Sequence, residues 1–354
     1  MRSKRKVIGN AVFLAAVFAL TIYGVFHGED MAAVAGAMGA ADIRWLVCGV
    51  LLVLLYIGGE AVCLWVMLSS FRMRMKMGVC VLFAAVDFFF SGITPSASGG
   101  QPMQIYYMRK EKIPVPVATV ILMIVTITYK LVLVVVGIGI LCFGRGFLHR
   151  YLEGVLPVFY LGIALNVFCV SFMTVLVFHP NLAEWIMTTG LGWLERLRFL
   201  KHKEERCRKL EVAMQTYKET ALFLKDHKRV LGGVFLITFV QRIALFAVTW
   251  TVYKALGMSG TSIWDVVFLQ AVISVSVDML PLPGGMGISE ALFLKIFVPV
   301  FGSMLLPAMV LSRGIGYYSQ LLVSAMLTAT AQIYYTFRTQ KAGTQVGCSD
   351  GRPG

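Results

Sequence analysis

The stretch 276-SVDMLPLPGGMGISEALFLK-295 sits between two strongly apolar segments, yet it carries two prolines, three glycines and three charges. Proline cannot continue a helix, and glycine tolerates a left-handed backbone and the close approach of other groups. Pro281 and Pro283 therefore end one helix, and Gly284, Gly285 and Gly287 let the chain turn. A second stretch, 87-DFFFSGITPSASGGQPMQIYY-107, repeats the arrangement with an apolar arm, a Pro/Ser/Gly tip and a second arm. At membrane depth, non-helical backbone survives only when buried in protein or lining a wet cavity. The simpler alternative is a loop outside the membrane that joins two short helices.

Composition places the chain in a membrane. The hydrophobic fraction is 58% and the charged fraction 14%, and the mean hydropathy is +0.79. A soluble protein of this length needs more charge to cover its surface. Several apolar runs exceed the roughly 18 residues that span a bilayer. The seven cysteines and five histidines show no metal-ligand or redox spacing, so no metal or cofactor is expected. The net charge of +14 comes from clusters at residues 1–6, 71–76, 109–112 and 196–229. These flank apolar runs, which is the positive-inside pattern of cytoplasmic loops and not a nucleic-acid footprint. Anionic lipid headgroups are a second use for such clusters.

The expected spans are 7–26, 45–68, 115–143, 155–178, 231–253 and 303–336, with broken segments at 78–108 and 264–298. The run from Val7 to Phe26 is too long for the core of a cleaved signal peptide, so it is expected to stay as the first helix. Basic clusters on both sides of 78–108 require that segment to dip in and return. Counting onward, 264–298 must re-enter from the other face. The chain is thus expected to be an all-α polytopic membrane protein with about six transmembrane helices and two opposed re-entrant helical hairpins. Residues 1–341 form one membrane domain in this reading, 342–354 a disordered tail, and both termini face the cytoplasm of a cell with this protein in its plasma membrane.

Each broken segment has an acid on its first arm, Asp87 or Asp278, and a glycine pair at its tip, Gly99–Gly100 or Gly284–Gly285. Each is followed by a long helix with one cation. Lys130 comes 31 residues after Gly99, and Arg313 comes 29 after Gly284. Each is preceded by a helix with one buried charge, Glu60 or Arg242. That is the plan of an inverted repeat, which secondary transporters use to build a midplane site. Six charges facing lipid would cost roughly 15–20 kcal/mol, so they face inward. They serve either as ion pairs that fix helix packing or as the lining of a polar cavity for a charged headgroup. An arginine forks onto a phosphate where a lysine offers a point charge, so Arg313 is the expected phosphate contact and Lys130 its symmetry-related second.

The motifs TPSASGGQP followed by YYMRKEKIP, and PLPGGMGISE followed by LSRGIGYYSQLL, resemble the two signature regions of the lysylphosphatidylglycerol synthase transmembrane family. This is the flippase-like membrane domain of multiple peptide resistance factors, and the resemblance covers about 7–336. It implies movement of an anionic or aminoacylated phospholipid, of the phosphatidylglycerol or lysyl-phosphatidylglycerol class, between leaflets. By position, Arg313 and Glu290 match the family's helix arginine and the glutamate after the glycine-rich tip. Lys130 stands where the resemblance implies an arginine, Tyr129 where a glutamate precedes it, and Gln101 where an acid is common. The chain ends about 20 residues after the last span in a polar, Gly-rich stretch, so a soluble synthase domain is not expected.

In 179–230, Leu182, Trp185, Ile186, Trp193, Leu197 and Leu200 share one helical face beside Arg196, Arg198 and Lys201, which fits a helix in the headgroup plane. Cys207, Leu210, Met214, Tyr217, Ala221 and Leu224 alternate spacings of three and four. That seam predicts packing against a neighbouring helix or a second protomer, leaving a homo-oligomer open. Three classes of function stand: a lipid translocator, a phospholipid-aminoacylating enzyme or its membrane subunit, and a carrier of polyprenyl phosphate or a small solute.

Overall fold

The computed structural model describes residues 31–94, 97–144, 146–147, 151–179, 203–280 and 282–347, together with Leu182, Trp185 and Thr189. Among these residues the chain is helical, with no strand. The expected first helix 7–26 and the amphipathic face at 182–200 lie outside the described residues, apart from Leu182 and Trp185.

In chain order the main helices are α1 (Met31–Gly39), α2 (Ile43–Ser70), α3 (Met77–Ile93), α4 (Gly100–Lys110), α5 (Val115–Phe143) and α6 (Leu156–Phe178). Then follow α7 (Lys203–Asp226), α8 (Lys228–Ala255), α9 (Ile263–Val277), α10 (Ile288–Ile296), α11 (Leu305–Arg313) and α12 (Gln320–Gly347). Among the described residues, five stretches are long and apolar enough to cross a membrane: Ile43–Ser70, Val115–Cys142, Leu156–Phe178, Lys228–Ala255 and Val298–Ile333. They coincide with the five expected spans in the described part of the chain. Both expected breaks are present, since α3 and α9 are short apolar helices that pack against the helices following their tips, α4 and α10. Large apolar side chains such as Leu51, Ile138, Phe168, Leu236 and Leu322 lie exposed along the long helices. In lipid such a surface is satisfied, where in water it would drive aggregation.

Two features differ from expectation. The stretch 27–44 between the first two expected spans, for which no helix was expected, contains α1. The last helix runs on to Gly347, so residues 342–347 are helical where a disordered tail was expected. A helix already nucleated over many turns propagates at little cost through residues such as Lys341, Ala342 and Gln345.

The centre of the molecule is the pair α2 and α8, the two helices that precede the broken segments. A β-carbon added at Gly49 would meet Thr251, and one at Gly59 would meet Gln241. The contact partners move down α8 as α2 ascends, so the two helices run antiparallel. Small residues let them approach closely, as is usual between membrane helices. Asp42 closes one end, its N–H donating to the Ala255 carbonyl at 2.8 Å.

Around this pair the packing is exchanged. Helix α5, from the first half, packs on α9 of the second broken segment, and α12, from the second half, packs on α3 of the first. The seam on α7 faces its own chain: Met214, Tyr217, Ala221 and Leu224 are buried as α7 packs on α5 and α6. The Tyr217 hydroxyl donates to the Leu176 carbonyl at 3.2 Å. Of the two partners left open, the neighbouring helix is the one found.

Candidate functional site

The two tips solve the same turn differently. At the second, Gly284, Gly285 and Gly287 have φ of 57°, 67° and 85°, a region that only glycine enters without strain. Gly284 also lies against the Tyr317 ring, which leaves no space for a β-carbon. At the first tip Gly99 is right-handed, with φ −86°, and Ala97 takes the positive φ of 51°. There the pair serves close approach, because a β-carbon on Gly100 would run into Asp87 and Ser91. Met286, at the second tip, is buried.

Between the tips lies a cavity of about 740 Å³. Nine expected site residues line it: Glu60, Asp87, Gln101, Lys130, Arg242, Asp278, Gly284, Gly285 and Arg313. Gly99, Gly100 and Glu290 do not, and stand behind the lining. The packing of α5 on α9 carries Lys130 to this place, whereas Arg313, the last residue of α11, reaches it beside the second tip of its own half.

The charges are not equally committed. Lys130 Nζ donates to Asp278 Oδ2 at 2.6 Å, an ion pair between the two halves. Arg313 Nε donates to Glu290 Oε1 at 2.6 Å, and an Nη donates to the Gly284 carbonyl at 3.0 Å. The other Glu290 oxygen accepts the Gly287 N–H at 2.7 Å. Glu290 thus caps the N-terminus of α10, where an outside anion would otherwise be favoured. Arg313, the expected phosphate contact, is engaged in holding the second tip.

The remaining three charges have no such partner. Glu60 accepts from the Gln241 amide at 3.2 Å, and Asp87 has only the Ser91 hydroxyl at 3.5 Å. Among the described residues neither has a cation at ion-pair distance, and Arg242 has no carboxylate at that distance. The Arg242 guanidinium instead lies over the Tyr129 ring at 3.7 Å and the Tyr56 ring at 4.9 Å. Its Nε is buried without a hydrogen-bond partner.

Sequence reasoning passed over Tyr56, Tyr317 and Gln241. Tyr56 lies one turn before Glu60 and Tyr317 one turn after Arg313, so helical spacing from a buried charge was the available signal. The Tyr317 hydroxyl donates to the Gly92 carbonyl at 2.9 Å, tying the end of α3 to the helix after the second tip. That helix is π-helical over Gly314–Ser319, directly after Arg313, a local form frequent at functional sites. Among the described residues no cluster of His, Cys, Asp and Glu is fit to hold a metal ion.

No match to the chain appears among the curated proteins. The family described as "Lysylphosphatidylglycerol synthase TM region" matches residues 7–324, a range that takes in both broken segments and every charge around the cavity. A helical multi-pass membrane protein with that match along most of its length belongs to the lysylphosphatidylglycerol synthase transmembrane-region family.

Proposed function

We propose that the protein binds the headgroup of an anionic or aminoacylated phospholipid in the cavity between the tips and passes it between the leaflets of the plasma membrane. The two broken segments act as re-entrant hairpins from opposite faces in this reading, residues 1–341 form one translocating unit, and both termini are cytoplasmic. The observation that carries it is the cavity of about 740 Å³ lined by charges from both halves of the chain. A volume in this range suits a headgroup. Charges that only fixed helix packing would all be paired, because an unpaired charge at membrane depth is costly. Among the described residues Arg242, Glu60 and Asp87 lack ion-pair partners, which supports a ligand with a phosphate and favours one that also brings an amine. Exposed apolar side chains on the long helices, such as Leu51, Phe168 and Leu236, offer the acyl chains an apolar surface outside the polar interior.

The test is the lipid that remains bound through purification. Native mass spectrometry of the protein extracted in mild detergent is expected to show one phospholipid class retained well above its share of the membrane extract. Bound lipid in the same proportions as the extract would contradict the reading. Retention of a polyprenyl phosphate alone would move the substrate to that class.

A further inference from the structure

Among the described residues three cations line the cavity, Lys130, Arg242 and Arg313, and they differ in what they already bind. Lys130 is spent on Asp278 and Arg313 on Glu290 and the Gly284 carbonyl. Arg242 lines the same cavity with no carboxylate at ion-pair distance among the described residues. Its positive charge is offset by the faces of Tyr129 and Tyr56. Aromatic faces attract a cation but accept hydrogen bonds poorly, so its N–H groups keep their need for an acceptor. The Nε shows this directly, being buried without a partner.

We infer that Arg242, held between Tyr129 and Tyr56, is the phosphate-binding station of the cavity, and that Arg313 and Lys130 shape the site around it. This rests on the headgroup reading above and deepens it. A guanidinium presents a planar fork of donors that fits two oxygens of a phosphodiester. Stacking on Tyr129 fixes the plane of that fork, so little side-chain freedom is lost when a ligand arrives. Gln241, next in the chain, gives its amide to Glu60 at 3.2 Å, a neutral donor to an acid that Arg242 does not reach at ion-pair distance. The chemistry is that of a phosphate oxyanion, whether on a lipid or free.

The experiment follows the unfolding midpoint of the full-length protein in detergent during titration with dihexanoyl phosphatidylglycerol below its micelle concentration. Inorganic phosphate is titrated in parallel. Lipid is expected to raise the midpoint of the wild type. The apparent Kd is expected to weaken about ten- to a hundredfold in Arg242→Gln, the loss of a charge-assisted pair of hydrogen bonds. Arg242→Lys keeps the charge and loses the fork, so it should fall between the two. A purely structural role would lower the midpoint without lipid and leave the Kd unchanged, which overturns the assignment while the headgroup reading stands. If Arg242→Gln is not recovered monodisperse, Arg242→Lys carries the comparison, and a wild-type Kd in that variant overturns the assignment equally. A wild type that binds no lipid removes the headgroup reading and this inference together. An Arg242-dependent response to inorganic phosphate as strong as that to lipid upholds the station and makes the free anion its ligand.

Discussion

Lys130 and Asp278 are 148 positions apart and meet at 2.6 Å with side chains only 10% and 8% exposed. Neutralising one partner of a buried pair leaves the other charge uncompensated, at about 3–5 kcal/mol. Lys130→Met and Asp278→Leu alone are each expected to lower the unfolding midpoint strongly. The double substitution should restore stability to within about 1 kcal/mol of the wild type, since apolar replacement of a whole buried pair is often neutral. Additive losses in the thermal unfolding of the three variants would show that the pair is not coupled. These charges were legible in the sequence because each interrupts an apolar run. Their partners were not. Nothing in the spacing tells Arg313 to choose Glu290 over Asp87, since that choice depends on where the second tip lies. Tyr56 and Tyr317 carried one mark, their place one turn from a buried charge, but that the Arg242 guanidinium lies over Tyr129 and Tyr56 depends on how three helices pack.

At the scale of elements, the breaks were readable because proline and glycine forbid what the flanking residues favour. Pro281, Pro283 and the three left-handed glycines leave the chain no helical route between α9 and α10. The period of α7 was equally plain, but a seam does not say what it faces, and the choice of α5 and α6 came from the fold. The first tip was read less fully. Its glycine pair looks like the second, yet Ala97 takes the left-handed turn and Gly100 makes room for Asp87. The opposed insertion of the two hairpins can be tested by single cysteines in a cysteine-free protein, at exposed Ser98 near one tip and at half-buried Leu282 near the other. In sealed, oriented vesicles, Ser98→Cys is expected to react with an impermeant thiol reagent from the cytoplasmic face and Leu282→Cys from the opposite one. Reaction of both from one face would end the inverted arrangement.

For the whole molecule, the antiparallel α2 and α8 form an axis across which each half lends a long helix to the other's broken segment. The axis itself carries Glu60 and Arg242, the exchange of α5 brings Lys130 to Asp278, and with Asp87 and Arg313 six charges from both halves line one cavity. Composition and hydropathy reached the membrane class and the spans, because burial in lipid is a property of each segment alone. The exchange was invisible to them, because it is a property of pairs of segments. The central claim is that this cavity takes a phospholipid headgroup through the membrane. Its most direct measurement is leaflet exchange of headgroup-labelled phosphatidylglycerol in proteoliposomes, read as the fraction of label that becomes accessible to an impermeant quencher with time. The wild type is predicted to exchange label well above empty liposomes, with Arg242→Gln at equal protein density falling back towards the empty-liposome rate. A wild-type rate equal to that of empty liposomes would contradict the account.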